Sequence, residues 1–208
     1  MRKIRGHQVE VEEPSPRERE WIYACLQRPE IYVPLSLGRG PSLEEFDRGE
    51  LYLIEGEGEG AEAVRYCIVR LLESGVPWGF FLEYGWDGAF DTTREFDLAT
   101  PVAGDHGLGV LLEAIVVGAQ YLFVNGLAKR LRWRVQGPKG RPPRWYGRLG
   151  ARHLGEINEP HPVTGEDLCR HVYELTLAEF EDLFERHGLD PYVDYGESGR
   201  SVWSLLRR

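Results

Sequence analysis

The sequence has 208 residues, 42% hydrophobic and 28% charged, which fits one large soluble domain, or one domain with a tail, around a sizeable core. Its three cysteines, Cys25, Cys67 and Cys169, are widely spaced with no C-x-x-C, which argues against a disulfide framework or a zinc site and for buried small hydrophobes in a reducing, cytoplasmic compartment. A net charge of −9 disfavours nonspecific nucleic-acid binding by the chain as a whole.

The opening "MRKIRGHQVEVEEP" is basic but has no apolar run behind it, so no signal peptide is expected. Within it, residues 7–14 alternate and predict a first strand. "SPREREWIYACLQRPE" predicts a helix, with Ser15 as cap, Pro16 at the first helical position and Glu18 completing a capping box. The stretch 41–49 predicts a short second helix between Ser42 and the stop Gly49. "ELYLIEG" and "AEAVRYCIVRLLESG" are strand candidates on either side of "EGEGEG", which reads as a turn-rich acidic spacer. "VPWGFFLEYGW" and "REFDLATP" give two more strands, with "DGAFDTT" as the connection.

The run from Leu108 to Val124 is long and apolar, but Glu113 and Gln120 interrupt it, so a buried core helix is expected and not a membrane span. Gly107 and Gly109 stand at its start. Unpaired amides at a helix N-terminus suit a phosphate when side chains stay clear, yet the same pair also suits a plain turn. The strand "RLRWRVQ" (130–136), a Gly/Pro-rich turn and a short helix around "PRWYGRLG" follow. Strands around "HLGEI" and "CRHVYELTL", a helix "AEFEDLFERHG" and a polar tail complete the chain. Meandering strands before the long helix and alternation after it predict a mixed α/β sheet. A Rossmann domain is poorly supported, because the Gly-x-Gly follows several strands and no acidic residue ends the next one.

Residues 129 to 152 hold nine Lys and Arg and no acid, an electropositive strip that implies an anionic ligand or a surface partner. Trp133 and Trp145 interleave with those charges. That pattern also suits single-stranded nucleic acid, although Trp133 alternates within a strand and reads as core.

The order of elements and these motifs resemble the GNAT superfamily of acyl-CoA N-acyltransferases, most closely the branch that acetylates N-terminal amines of ribosomal proteins. The resemblance runs from about residue 7 to about 180. "GDHGLG" resembles the family's Arg/Gln-x-x-Gly-x-Gly/Ala signature, with Gly107 and Gly109 on the small positions and Gly104 where Arg or Gln is usual. "EFDLATP" resembles the family's fourth strand and "RLRWRVQ" its fifth. Tyr146, Gly150 and Gly155 match the motif that follows, with Ala151 in place of Phe and Lys139 where the helix-starting Asn is usual. "GEDLCRHVYELTLAEFEDL" is similar to that branch's last strand and short helix.

The resemblance implies a mostly antiparallel sheet of about seven strands, a V-shaped split between strands four and five, and helices on both faces. It implies a domain over 1–180 with an extension over 181–208 packed on the domain or on a partner, such as a second copy in a homodimer. Acetyl-CoA or another acyl-CoA would be the co-substrate, without a metal. Its pantetheine would pair with Leu98, Ala99 and Thr100, and its pyrophosphate would rest on Gly104, Asp105, His106, Gly107, Leu108 and Gly109. Lys139, Arg141 and Arg144 would flank the phosphates, while Asp105 suits a helix cap. Tyr146 would donate a proton to the leaving thiolate, with a backbone amide near Leu98 or Ala99 at the oxyanion. Glu95 leads as general base over Asp97, Glu83 and the loop residue His161. The acceptor is a small-molecule or peptide amine, drawn in by "EGEGEG" and Asp167 past the apolar stretch 28–42. The departures at Gly104, Asp105 and Lys139 also fit a protein of this shape without catalysis. The strip 129–152 also fits an RNA- or ribosome-associated module.

Overall fold

A computed structural model describes residues 1–35, 37, 39–55, 58–86, 89–101, 107–160 and 164–192. Nine strands form one sheet: β1 (Ile4–Arg5), β2 (Val9–Glu12), β3 (Glu50–Glu55), β4 (Gly58–Leu71), β5 (Pro77–Trp86), β6 (Ala89–Ala99), β7 (Arg130–Gln136), β8 (Arg152–Pro160) and β9 (Asp167–Thr176). Eight lie side by side in the order β1-β2-β4-β5-β6-β7-β9-β8, and β3 pairs with β4. All the described pairs are antiparallel except β6 with β7. The architecture is therefore mixed and mostly antiparallel, as expected, with more strands than the seven expected.

Among the described residues six helices accompany the sheet: α1 (Pro16–Leu26), α2 (Pro29–Tyr32), α3 (Leu43–Arg48), α4 (Gly107–Val124), α5 (Arg144–Arg148) and α6 (Leu177–Arg186). The predicted capping signals are the ones used. Glu18 accepts from the Ser15 amide and hydroxyl at 2.9 and 2.6 Å, and Ser42 and Glu45 close the box of α3. Three differences stand out. β1 and the single turn α2 carry too few residues for a periodic pattern. β4 extends back to Gly58, so most of "EGEGEG" is paired strand; backbone hydrogen bonding to β3 needs no apolar side chain there. β6 likewise begins at Ala89, which makes most of "DGAFDTT" strand, with the pair Trp86↔Ala89 separated by a register shift from the ladder that runs on from Gly85↔Arg94.

Strand alternation sends two cores to opposite faces. Cys67, Val69, Phe81, Phe96, Leu131, Trp133, Tyr173 and Leu175 pack with α4 and α6 on one face. Tyr66, Ile68, Phe80, Leu82, Tyr84 and Ala99 pack with α1, α2 and α3 on the other. α4 lies tight on the sheet because Gly118 meets Phe81: a Cβ there would come within 2.7 Å of two ring atoms. Gly118→Ala gains helix propensity but overpacks this contact, so a net loss of about 1–2 kcal/mol is expected, read as a lower urea midpoint at unchanged slope.

No helix among the described residues is long and apolar enough to cross a membrane. Gln120 donates through Nε2 to the Pro191 carbonyl at 2.6 Å, and Glu113 caps backbone amides, so the polar interruptions of α4 are structural. The division expected at 180 falls inside α6, whose Phe180, Leu183 and Phe184 are buried in the α4-side core. The chain beyond it folds back on its own body as far as Tyr192, whose carbonyl accepts from Arg2 at 2.8 Å.

Candidate active site

The parallel ladder between β6 and β7 is short. It joins Thr93, Arg94 and Glu95 to Arg130, Leu131 and Arg132 and then stops. β6 stays paired with β5 as far as Ala99, and β7 stays paired with β9 through Gln136. Phe96–Ala99 and Trp133–Gln136 therefore diverge, each held from its outer side, and a wedge opens between them. The split expected between the family's fourth and fifth strands is present here. Leu98 and Ala99 lie along its edge, with the exposed Thr100 just past the strand end.

Two sets of side chains meet at this wedge from opposite faces. From the α4 side comes Tyr146 on α5, which is 6% exposed. Its ring stacks on Tyr173 at 4.6 Å and lies 3.5 and 5.5 Å from the rings of Trp145 and Trp133. Burial pushes its phenol well above the ordinary tyrosine range, and the charge of Asp97 adds to this. Its hydroxyl has no hydrogen-bond partner among the described residues. Trp133 is buried at this stack, which bears out its reading as core.

From the other face come Glu95 and Asp97, two residues apart on β6. Glu95 is buried and ion-paired with Arg134 of β7 at 2.9 Å, a bridge across the wedge just past the last ladder pair. Asp97 is half-buried and accepts from the Tyr84 hydroxyl at 2.5 Å. Burial, then the charges of Asp97 and Glu95, hold the Tyr84 phenol well above its ordinary range. Glu83 cannot join them. Its register places it under α4, where Arg94 and Arg65 approach at 3.1 and 3.4 Å. Burial raises its carboxyl above the ordinary range, and the two arginines oppose that.

A cavity of about 770 Å³ opens at the carboxyl end of β7, lined by Gln136, Lys139, Asn158, Asp167 and Cys169 among others. Lys139 thus stands in a cavity wall beside the strand ends of β8 and β9, five residues ahead of α5, whose first residue is Arg144. Asp167 brings a carboxylate to the same wall. Arg141 and Arg144 are exposed just beyond, before and at the start of α5.

The basic strip is less free than its composition implies. Arg130, Arg132 and Arg152 converge on buried Glu174 at 3.7, 2.8 and 2.6 Å, and Arg134 is held by Glu95. Lys129, Lys139, Arg141, Arg144 and Arg148 remain exposed and form no ion pair with a described residue. The pairing of the other four is a cross-strand effect that linear composition hides.

α4 begins at Gly107 with no acidic residue in its first turn, and Leu108 is exposed while Gly109 is half-buried. Gly104, Asp105 and His106, like the loop residue His161, lie outside the described residues. Sequence reasoning missed Tyr84 and Arg134. The signal for Tyr84 was its register opposite Glu95, which a strand alignment of β5 and β6 would have exposed.

No protein-family model matches the chain, and no curated protein matches it in sequence. Solved structures do match in fold. Spermidine N-acetyltransferase from Vibrio cholerae, crystallised with CoA and spermine, superposes with a TM-score of 0.61 at 12% identity, over 83% of this chain and 98% of that one. Aminoglycoside acetyltransferase AAC(6')-Ib with ribostamycin and coenzyme A gives 0.57 at 19% identity, over 84% and 96%. A GNAT-family acetyltransferase from Bacillus anthracis gives 0.54 at 16% identity, over 84% and 98%. The chain has the GNAT fold.

Proposed function

We propose that this chain is an acyl-CoA-dependent N-acyltransferase that moves an acetyl or other short acyl group to a primary amine of a small molecule or peptide. The observation that carries the reading is the parting of β6 and β7 directly after Glu95, with the Tyr146 ring 5.5 Å from that of Trp133 at its edge.

The residues suit the co-substrate. The wedge leaves one edge of Phe96–Ala99 without a strand paired to it, the kind of edge on which an extended amide chain docks as an added strand. Lys139, Arg141 and Arg144 offer free cations for its phosphates, and the amides that open α4 carry partial positive charge. Bound acyl-CoA supplies the activated acyl group and a thiolate leaving group.

Tyr146 carries its proton at neutral pH, as any phenol does, and burial only moves it further from ionisation, so it is in the state a donor to that thiolate must be in. The carboxylate of Glu95 is engaged by Arg134 at 2.9 Å, which commits it to the bridge across the wedge. We therefore assign acceptance of the amine's proton to Asp97, and to Glu95 the bridging of the wedge. Asp167 at the cavity wall favours approach of a cationic amine before it loses its proton. The fold neighbours that carry spermine or ribostamycin support an amine acceptor. The strand pattern Tyr173-x-Leu175 supports the finer reading of a ribosomal-protein N-terminal acetyltransferase, and three free thiols support a cytoplasmic setting.

Thermal melts with acetyl-CoA test the reading. At ~100 times its dissociation constant the ligand adds ~2.7 kcal/mol of stability, a readily measured rise in Tm. An unmoved Tm at millimolar acetyl-CoA, with desulfo and longer acyl forms equally silent, removes it.

A further inference from the structure

We propose that Glu156, Cys169 and His171 form a binding site for one transition-metal ion of the Zn²⁺ class, a role independent of the acyltransferase reading. The register of β8 against β9 sets Glu156 opposite His171 and Asn158 opposite Cys169, so the three side chains share one face. Their donor atoms all lie within 4.8 Å of one another. His171 Nδ1 is 3.6 Å from Glu156 Oε1, and Cys169 Sγ is 3.9 Å from Glu156 Oε2. Zinc bonds of about 2.0–2.3 Å put tetrahedral ligand atoms roughly 3.3–3.8 Å apart, so the group needs only a small inward movement to close on an ion.

The surroundings favour a metal over a plain polar cluster. His171 is fully buried, and its Nε2 stands 3.0 Å from the Pro138 carbonyl. Donation of Nε2–H to that oxygen leaves Nδ1 unprotonated beside His153 and Glu156, the outer-sphere arrangement typical of metal-bound histidines. His153 Nε2 lies 3.3 Å from the same Nδ1 and so adjoins the group of three. A β-bulge between His153 and Gly155 makes this possible by placing residues three apart, His153 and Glu156, on one face. Cys169 lines the 770 Å³ cavity, which provides a way in. A set of imidazole, thiolate and carboxylate selects zinc-like ions over Mg²⁺ or Ca²⁺, which take oxygen ligands.

The same residues hold the loop 137–143. Pro138 meets His171, and the Gly140 amide donates to Glu156 at 2.9 Å. Gly137 passes so near that a Cβ there would be 2.9 Å from His171 Cδ2. A bound ion clips this loop, and with it the entry to α5, onto the β8–β9 hairpin.

The test uses the full chain, stripped with chelator and titrated with Co²⁺ and then Zn²⁺. One ion per chain is expected, with a thiolate-to-Co²⁺ charge-transfer band that Zn²⁺ displaces. Cys169→Ser abolishes the band, and both Cys169→Ser and Glu156→Gln weaken Zn²⁺ at least about tenfold. Both substitutions spare the buried His171, and the melting curve of each reports whether folding is kept. No stoichiometric Co²⁺ or Zn²⁺ binding by the native chain, or native affinity in either folded variant, overturns the proposal.

Discussion

Tyr146→Phe is expected to lower kcat by about 10²–10⁴-fold while acetyl-CoA affinity and stability stay close to native. The argument begins with packing. The ring of Tyr146 is held by Trp133, Trp145 and Tyr173, and phenylalanine keeps those contacts. Its hydroxyl is engaged by no described residue, so its removal orphans no partner there. What the variant lacks is a proton held at the edge of the wedge. An interaction made only as the thiolate leaves affects kcat and kcat/KM equally, whereas uniform binding would appear in KM alone. Steady-state kinetics with varied acetyl-CoA separates the two. Full activity in the variant removes Tyr146 from the chemistry, and a change confined to KM makes it a binding residue. Asp97→Asn provides the companion measurement. Loss of kcat there with Glu95 intact supports Asp97 as the proton acceptor.

How much of this was legible in the sequence depends on the range of the interaction. Local signals were readable: Ser15 with Glu18 marks the start of α1 because a cap and its partner lie within one turn, and Ser42 and Gly49 stand at the two ends of α3. The strand carrying Glu95 and Asp97 shows by parity alone that both share a face. The partners that give these residues their character come from other strands. Nothing near Arg134 in sequence shows that it holds Glu95, and nothing near Glu83 shows that it turns under α4. Those facts follow from register, which depends on how the whole sheet closes. The hairpin continuation through "EGEGEG" was missed for a related reason. Its pairing to β3 is made by backbone groups, which leave no hydrophobic period to read. The group Glu156, Cys169 and His171 was hidden by its spread over two strands, which only the register of β8 against β9 brings together. Absence of C-x-x-C therefore counted against a metal site that needs no such spacing.

Glu113→Ala is expected to cost about 3–5 kcal/mol, the largest stability loss among the substitutions considered. Glu113 sits inside the apolar helix α4 and is fully buried. Its Oε1 accepts from the backbone amides of His7, Gln8 and Val9, the last two at 2.6 and 3.4 Å. Its Oε2 accepts from Gln8 Nε2 at 3.1 Å. The turn between β1 and β2 thus depends on a helix carboxylate for donors it cannot satisfy itself. Alanine leaves three amides, of which Val9's is buried, facing a void, each worth up to about 1–3 kcal/mol of lost compensation and partly recovered where water enters. Glu113→Gln keeps an oxygen acceptor but turns an NH₂ group toward the same donors, so about half the loss is expected. Urea unfolding at constant slope measures both, and hydrogen exchange at residues 7–9 localises the damage. A loss below about 1 kcal/mol for alanine would mean that solvent already satisfies this turn. Because Glu113 lies less than two turns beyond Gly107, its contacts also dock the start of α4 against the sheet. The folded fraction of Glu113→Ala is therefore expected to keep kcat while acetyl-CoA binds less tightly, the inverse of the Tyr146→Phe signature.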